Sequence, residues 1–137
     1  MMIRIHEERT IAQVLAPQSA EASTEKTSSY IDACEASEVA FVVSCAPLGA
    51  GKSLTVTLLA ADDASGSGAA ELKTTVFTDA AGTQPQAAVV SYQVRPENGR
   101  YIALKVQHDG AAAVVLGIAA LCDSFYRPQS GGWVMTV

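Results

Sequence analysis

Residues 39–60, VAFVVSCAPLGAGKSLTVTLLA, constrain the fold more than any other stretch of the chain. Two apolar runs flank a turn-like centre, Pro47-Leu48-Gly49-Ala50-Gly51-Lys52. After it, Leu54, Val56 and Leu58 point one way and Ser53, Thr55 and Thr57 the other. That period-two alternation, rich in β-branched residues, specifies a half-buried strand. Gly51-Lys52-Ser53 behind an apolar strand also imitates the end of a phosphate-binding loop. Such a loop needs an earlier glycine where this chain has Ala46, and a helix directly after the Lys-Ser pair. The reading is therefore strand, glycine-rich connection and strand, with no nucleotide bound.

The rest of the chain continues the same pattern. Ile3 and Ile5 alternate with Arg4 and His6, and an apolar patch at residues 10–15 leads into Ala16-Pro17. Proline in a strand belongs at an edge, so residues 1–18 are expected to form an N-terminal arm or edge strand, and residues 19–137 the β-sandwich domain. Residues 19–29 read as a polar connection and residues 30–34 as a short strand. Residues 72–78 read as a strand with Leu72, Thr74 and Val76 on one face. Residues 88–94 place Val90, Tyr92 and Val94 together, and residues 101–107 turn Ile102, Leu104 and Val106 inward. Residues 95–99 form a turn, and His108-Asp109-Gly110 carries a hairpin signal. Residues 111–122 are apolar on both faces, which predicts a central strand covered on both sides, with a neighbouring subunit as one candidate cover. Residues 133–137 are a last short strand or tail. About seven to nine short strands at such spacing predict an all-β protein: a single-domain antiparallel β-sandwich or jelly-roll-like barrel.

Composition narrows the function classes. The 137 residues carry a net charge of -5, and Lys and Arg are scattered without a basic stripe, so no nucleic-acid partner is expected. No apolar run approaches the ~18 residues of a membrane span, so no membrane partner is expected, and no secretory signal follows Arg4. Three cysteines, Cys34, Cys45 and Cys122, are widely spaced and read as small buried or half-buried hydrophobes in a reducing cytoplasm. His6-Glu7-Glu8-Arg9-Thr10 starts like a zinc-protease helix but has Thr10 where the second histidine belongs. His108 reads as a solvated turn residue. Asp62, Asp63 and Glu71 could offer oxygens to a cation, yet their spacing lacks the regular calcium-loop pattern and reads as a solvated loop. No nucleophile-elbow motif is present. No catalytic residue, cofactor or metal is expected, and no enzymatic activity.

The order of the pieces resembles the small head decoration (cement) and minor structural proteins of tailed bacteriophages. The matching segments are Leu15-Ala16-Pro17, Thr27-Ser28-Ser29-Tyr30-Ile31-Asp32, residues 39–60 and the Asp62-Asp63-Ala64-Ser65-Gly66-Ser67-Gly68 loop leading to Leu72-Lys73. Arg100-Tyr101-Ile102-Ala103-Leu104-Lys105 and Tyr126-Arg127-Pro128 follow, so the resemblance covers residues 11–128 and leaves residues 129–137 without a counterpart. It implies a non-enzymatic virion protein, made in the host cytoplasm, that decorates and stabilises the capsid as a homo-oligomer. Its partners would be the major capsid protein, or another virion protein, and neighbouring copies. The candidate contact residues are Ile3, Ile5, Ile11, Tyr126 and Trp133, the last because tryptophan is enriched at interface anchors. The alternative is a carbohydrate- or receptor-binding β-sandwich, which would present Tyr30, Tyr92, Tyr101, Tyr126 or Trp133.

Overall fold

The computed structural model describes residues 9–34, 36–123 and 135. Nine strands follow in order: β1 (Arg9–Ala20), β2 (Lys26–Thr27), β3 (Ile31–Asp32), β4 (Glu38–Cys45), β5 (Lys52–Ala61), β6 (Ala70–Asp79), β7 (Gln86–Gln93), β8 (Tyr101–His108) and β9 (Val114–Asp123). Among the described residues the sole helical element is a 3-10 turn, Pro96–Asn98.

The pairings are antiparallel and nested. β5 pairs with β6, β4 with β7, β2 and β3 with β8, and β1 with β9. The chain is a long hairpin bent at residues 62–69, then rolled so that β9 also lies against β4 and β8 against β5. Rolling produces two sheets, β1-β9-β4-β7 and β2-β8-β5-β6, with β3 also on β8. This is the jelly-roll form of an antiparallel β-sandwich. The core lies between the sheets, where Phe41, Val43, Leu116 and Ile118 of the first meet Ile102, Leu104 and Val106 of the second. Alternation along β4, β5 and β8 delivers those side chains inward, as their sequence requires.

Several local expectations are corrected. Leu72 packs on the core, but Val76 is exposed and Phe77 is turned inward instead. A bulge opposite Leu58/Leu59 shifts the β5–β6 register, and one extra residue reverses every face that follows. β1 extends to Ala20, and Lys26-Thr27 pairs with β8, so residues 19–29 are not wholly a connection. β1 is an edge strand, and Pro17 falls within the second of its two bulges, where a missing ladder donor costs little. Gly117 lies beneath that irregularity; a Cβ there would meet Pro17 Cα at 3.2 Å.

The Asp-Gly signal after β8 is no hairpin, because β8 and β9 belong to different sheets. His108 is 2% exposed rather than solvated. Its Nδ1 accepts the Gly110 N–H at 3.0 Å, so Nε2 carries the proton and donates to the Ala20 carbonyl at 2.7 Å. Residues 111–113 are exposed loop, and β9 buries Val114, Leu116, Ile118 and Ala120 while exposing Val115. Within the single chain, cover for β9 therefore lies mainly on its core face. Cys45 is buried and Cys122 half-buried, but Cys34 is exposed, and none forms a disulfide. Burial, then Asp79, pushes the Cys45 thiol up; burial, then Asp123, does the same to Cys122.

Three carboxylates fasten the end where β5 turns into β6. The Arg100 guanidinium, bound to Asp32 at 2.8 and 2.6 Å, holds that carboxyl well below the usual range. The Ser65 hydroxyl first, then Ser67, lower Asp63 to about 2. Burial raises Asp123, but hydrogen bonds from Ser37 and Glu38 outweigh it and leave its value lowered. Folded values below the unfolded ~3.9 give stability that is fully present above that pH and lost as pH falls through the folded values. The melting temperature is expected to be level between about pH 7 and 5 and to fall below about pH 4. Melting curves from neutral pH downward check this, and Asp32→Asn should flatten the acid limb.

Candidate functional site

The two outer faces of the sandwich differ in chemistry. On the β2-β8-β5-β6 sheet, side-chain hydroxyls pair across strands, Thr57 with Thr74 and Ser53 with Thr78, each at 3.1 Å. Lys105 Nζ reaches Glu71 at 2.9 Å and Glu25 at 3.7 Å. Arg100 stands over the Tyr101 ring, 5.4 Å from its centroid. That face is mostly polar, with Val76 as its exposed large apolar residue.

The outer face of β1-β9-β4-β7 is apolar. Register places Gln13, Ala119, Val42 and Val89 in one row across the four strands, and Ile11, Leu121, Ala40 and Ser91 in the next. Gly117, Ser44 and Ala87 form a third row. None of these residues is charged. Val89, Val115 and Ile11 are 59%, 54% and 40% exposed, a concentration of large apolar side chains that solvent does not favour. Small residues on the central strands keep the surface flat. At the Val115 end a shallow groove of about 540 Å³ runs between Pro17, Ser44, Pro85 and Ala87. The charges gather at the opposite end, where Arg9 pairs in register with Asp123, and Asp123 accepts N–H groups of Ser37 at 2.9 Å and Glu38 at 2.8 Å.

Of the expected contact residues, Ile11 lies on this apolar face. Ile3, Ile5, Tyr126 and Trp133 lie outside the described residues. Val89 and Val115 share this face without having stood out in the sequence: Val115 lies in a run apolar on both sides, and Val89 falls opposite Val90 and Tyr92 with nothing to say what lies on that side. Their exposure depends on which strands are neighbours, and alternation along one strand cannot encode that. Tyr92 is buried with its hydroxyl accepting the Arg95 N–H at 3.2 Å, while Tyr30 and Tyr101 are half-buried away from the apolar face.

The glycine-rich connection is occupied by protein contacts. Lys52 opens β5, so a strand stands where a phosphate loop would start a helix. Leu48 N–H goes to Asp79 Oδ2 at 3.0 Å, Gly51 N–H to the Asp79 carbonyl at 2.9 Å and Lys52 N–H to the Gly49 carbonyl at 3.1 Å. The Asp62, Asp63 and Glu71 oxygens are not assembled: Asp63 accepts from Ser65 and Ser67, and Glu71 binds Lys105. Among the described residues no group of three or more His, Cys, Asp or Glu is arranged to hold a metal, and no helix is long and apolar enough to cross a membrane.

No protein-family model matches the chain, and no curated protein does. Solved structures do. PBSX exported protein XepA superposes with a TM-score of 0.60 at 10% identity, over 100% of this chain and 44% of that one. The CBM22-1-GH10 modules of Clostridium thermocellum endo-1,4-beta-D-xylanase 10B, solved with xylohexaose, give 0.55 at 11% identity, over 95% of this chain and 28% of that one. The enzymatically active domain of bacteriophage CBA120 tailspike protein 4 gives 0.51 at 8%, over 85% and 20% respectively. This chain therefore spans less than half the length of each, and at these identities the likeness is one of fold.

Proposed function

We propose that the protein is a non-enzymatic virion structural protein that decorates and stabilises a capsid, attaching through the outer face of the β1-β9-β4-β7 sheet. The observation that carries the reading is the uncharged apolar face exposing Val89, Val115 and Ile11 on an otherwise acidic molecule. The resemblance to phage decoration proteins supplies the kind of partner, the major capsid protein or another virion protein. Many copies, each burying a modest apolar patch, hold a lattice together through avidity. Capsids lacking the protein, mixed with it and pelleted, are expected to retain it. Val115→Asp should weaken attachment at least about tenfold, equivalent to ~1.4 kcal/mol, because a charge would be buried without a partner. Its melting temperature should stay within a few degrees of wild type, since Val115 is exposed in the free protein. Equal attachment by Val115→Asp would overturn the role of this face.

The second reading is a carbohydrate-binding module, which rests on Tyr101 with the stacked Arg100 beside it. A soluble oligosaccharide such as xylohexaose separates the two. Binding that is lost in Tyr101→Ala and kept in Val115→Asp would favour the sugar.

A further inference from the structure

The two sheets have four edges, and three are guarded against pairing with another chain. β1 carries Pro17 and two bulges. β6 carries a bulge and the charged pair Glu71 and Lys73. β2 and β3 are two residues each. Proline, bulges, charge and shortness are the devices by which natural sheets protect their edges. β7 has none of them. Its eight residues, Gln86-Ala87-Ala88-Val89-Val90-Ser91-Tyr92-Gln93, contain no proline, glycine or charge, and its register with β4 is unbroken. Among the described residues it pairs with β4 alone, so its other side presents free ladder groups.

We propose that β7 is a self-association edge, on which a second copy of this chain adds its own β7 antiparallel across a twofold axis. Sequence and charge select the second copy as occupant. A twofold sets each residue against its own kind or a near neighbour, and like charges there would repel. The chain is acidic overall, and β7 is a long edge on which no charge can oppose itself. A twofold perpendicular to the sheet keeps outward residues outward, so residues of equal parity must face each other. With Val89 on the axis, Val89 meets Val89 of the second copy, and Ala87 meets Ser91. All of these side chains are small and exposed in the single chain. The product is a continuous eight-stranded sheet in which the two apolar outer faces lie side by side. The inference concerns self-association and does not rest on what that face binds.

Sedimentation equilibrium of the full chain, from micromolar to hundreds of micromolar, is the test. Wild type is expected to dimerise. Val89→Lys and Ser91→Lys should each weaken the dimer at least tenfold while keeping the wild-type melting temperature of the monomer. Val115→Lys, on the same outer face but on the inner strand β9, and Val76→Lys, on β6, should dimerise as wild type does. If Val89→Lys fails to fold, Ser91→Lys decides. A dimer lost in Val115→Lys would mean that copies stack through their faces and would overturn edge pairing. Loss in Val76→Lys alone would move the contact to the other sheet. A wild-type monomer throughout the range would also overturn the proposal, including one that instead takes up a foreign extended peptide on β7.

Discussion

Leu104→Ala is expected to lower the unfolding free energy by about 3 to 5 kcal/mol, against less than about 1 kcal/mol for Thr55→Ala. Leu104 is 0% exposed, sits opposite Leu58 on β5 and faces the other sheet across the core. Its backbone is pinned as well: Leu104 N–H donates to Ser28 Oγ at 3.0 Å, and its carbonyl accepts Ser28 N–H at 2.9 Å. With its N–H and carbonyl both held by Ser28 the backbone has little room to close in, and the lost side chain leaves most of its volume as a cavity. Thr55 stands on the outer face between Val76 and Gln107, where truncation opens only to water. Denaturant unfolding of the two variants measures the difference. Equal losses would mean that the inner and outer faces of β5 and β8 are misassigned.

His108→Ala should cost about 3 kcal/mol or more, through a void and two buried polar groups left without partners. The ring bridges the end of β1, at Ala20, to the connection after β8, at Gly110. The His108 carbonyl also accepts the Ser23 N–H at 2.7 Å, which holds Ser23 at a φ of 61°, a conformation that only glycine adopts freely. Removing the ring frees the Gly110 N–H and should speed its exchange ahead of the core strands, while the Ser23 N–H keeps its backbone acceptor. A variant within about 0.5 kcal/mol of wild type would show that the imidazole does not tie these connections together.

What the sequence could express, it expressed locally. Leu54, Val56 and Leu58 on β5, and Ile102, Leu104 and Val106 on β8, are inward where alternation placed them. Alternation reports the two faces of one strand and no more. It could not show that β9 lies between β1 and β4, so the exposure of Val115 was invisible in an apolar run. It could not foresee the bulge that turns Phe77 inward in place of Val76. His108 looks like a turn residue because its buried partner, Ala20, is distant in sequence, and nothing local shows that Asp79 binds the Leu48 N–H. Gly82 has the same character. Its φ of +70° suits a turn, but a Cβ there would run into the Ala50 nitrogen of another connection.

The nested pairing also sets an order of events during synthesis. Among the described strands only β5 and β6 are partners across a short loop, so they can close a hairpin as soon as both have left the ribosome. β4 then waits for β7, and β2 and β3 wait for β8. β1, the first of the described strands to be made, has its ladder partner among them in β9, the last. Until Asp123 is in place, the amphipathic first strand is a ready template for any passing edge, and the outermost ladder closes a loop spanning nearly the whole described chain. Nascent chains stalled before β9 should therefore be the most dependent on chaperones, and the Pro17 region of β1 serves the unfinished chain before it serves the finished one.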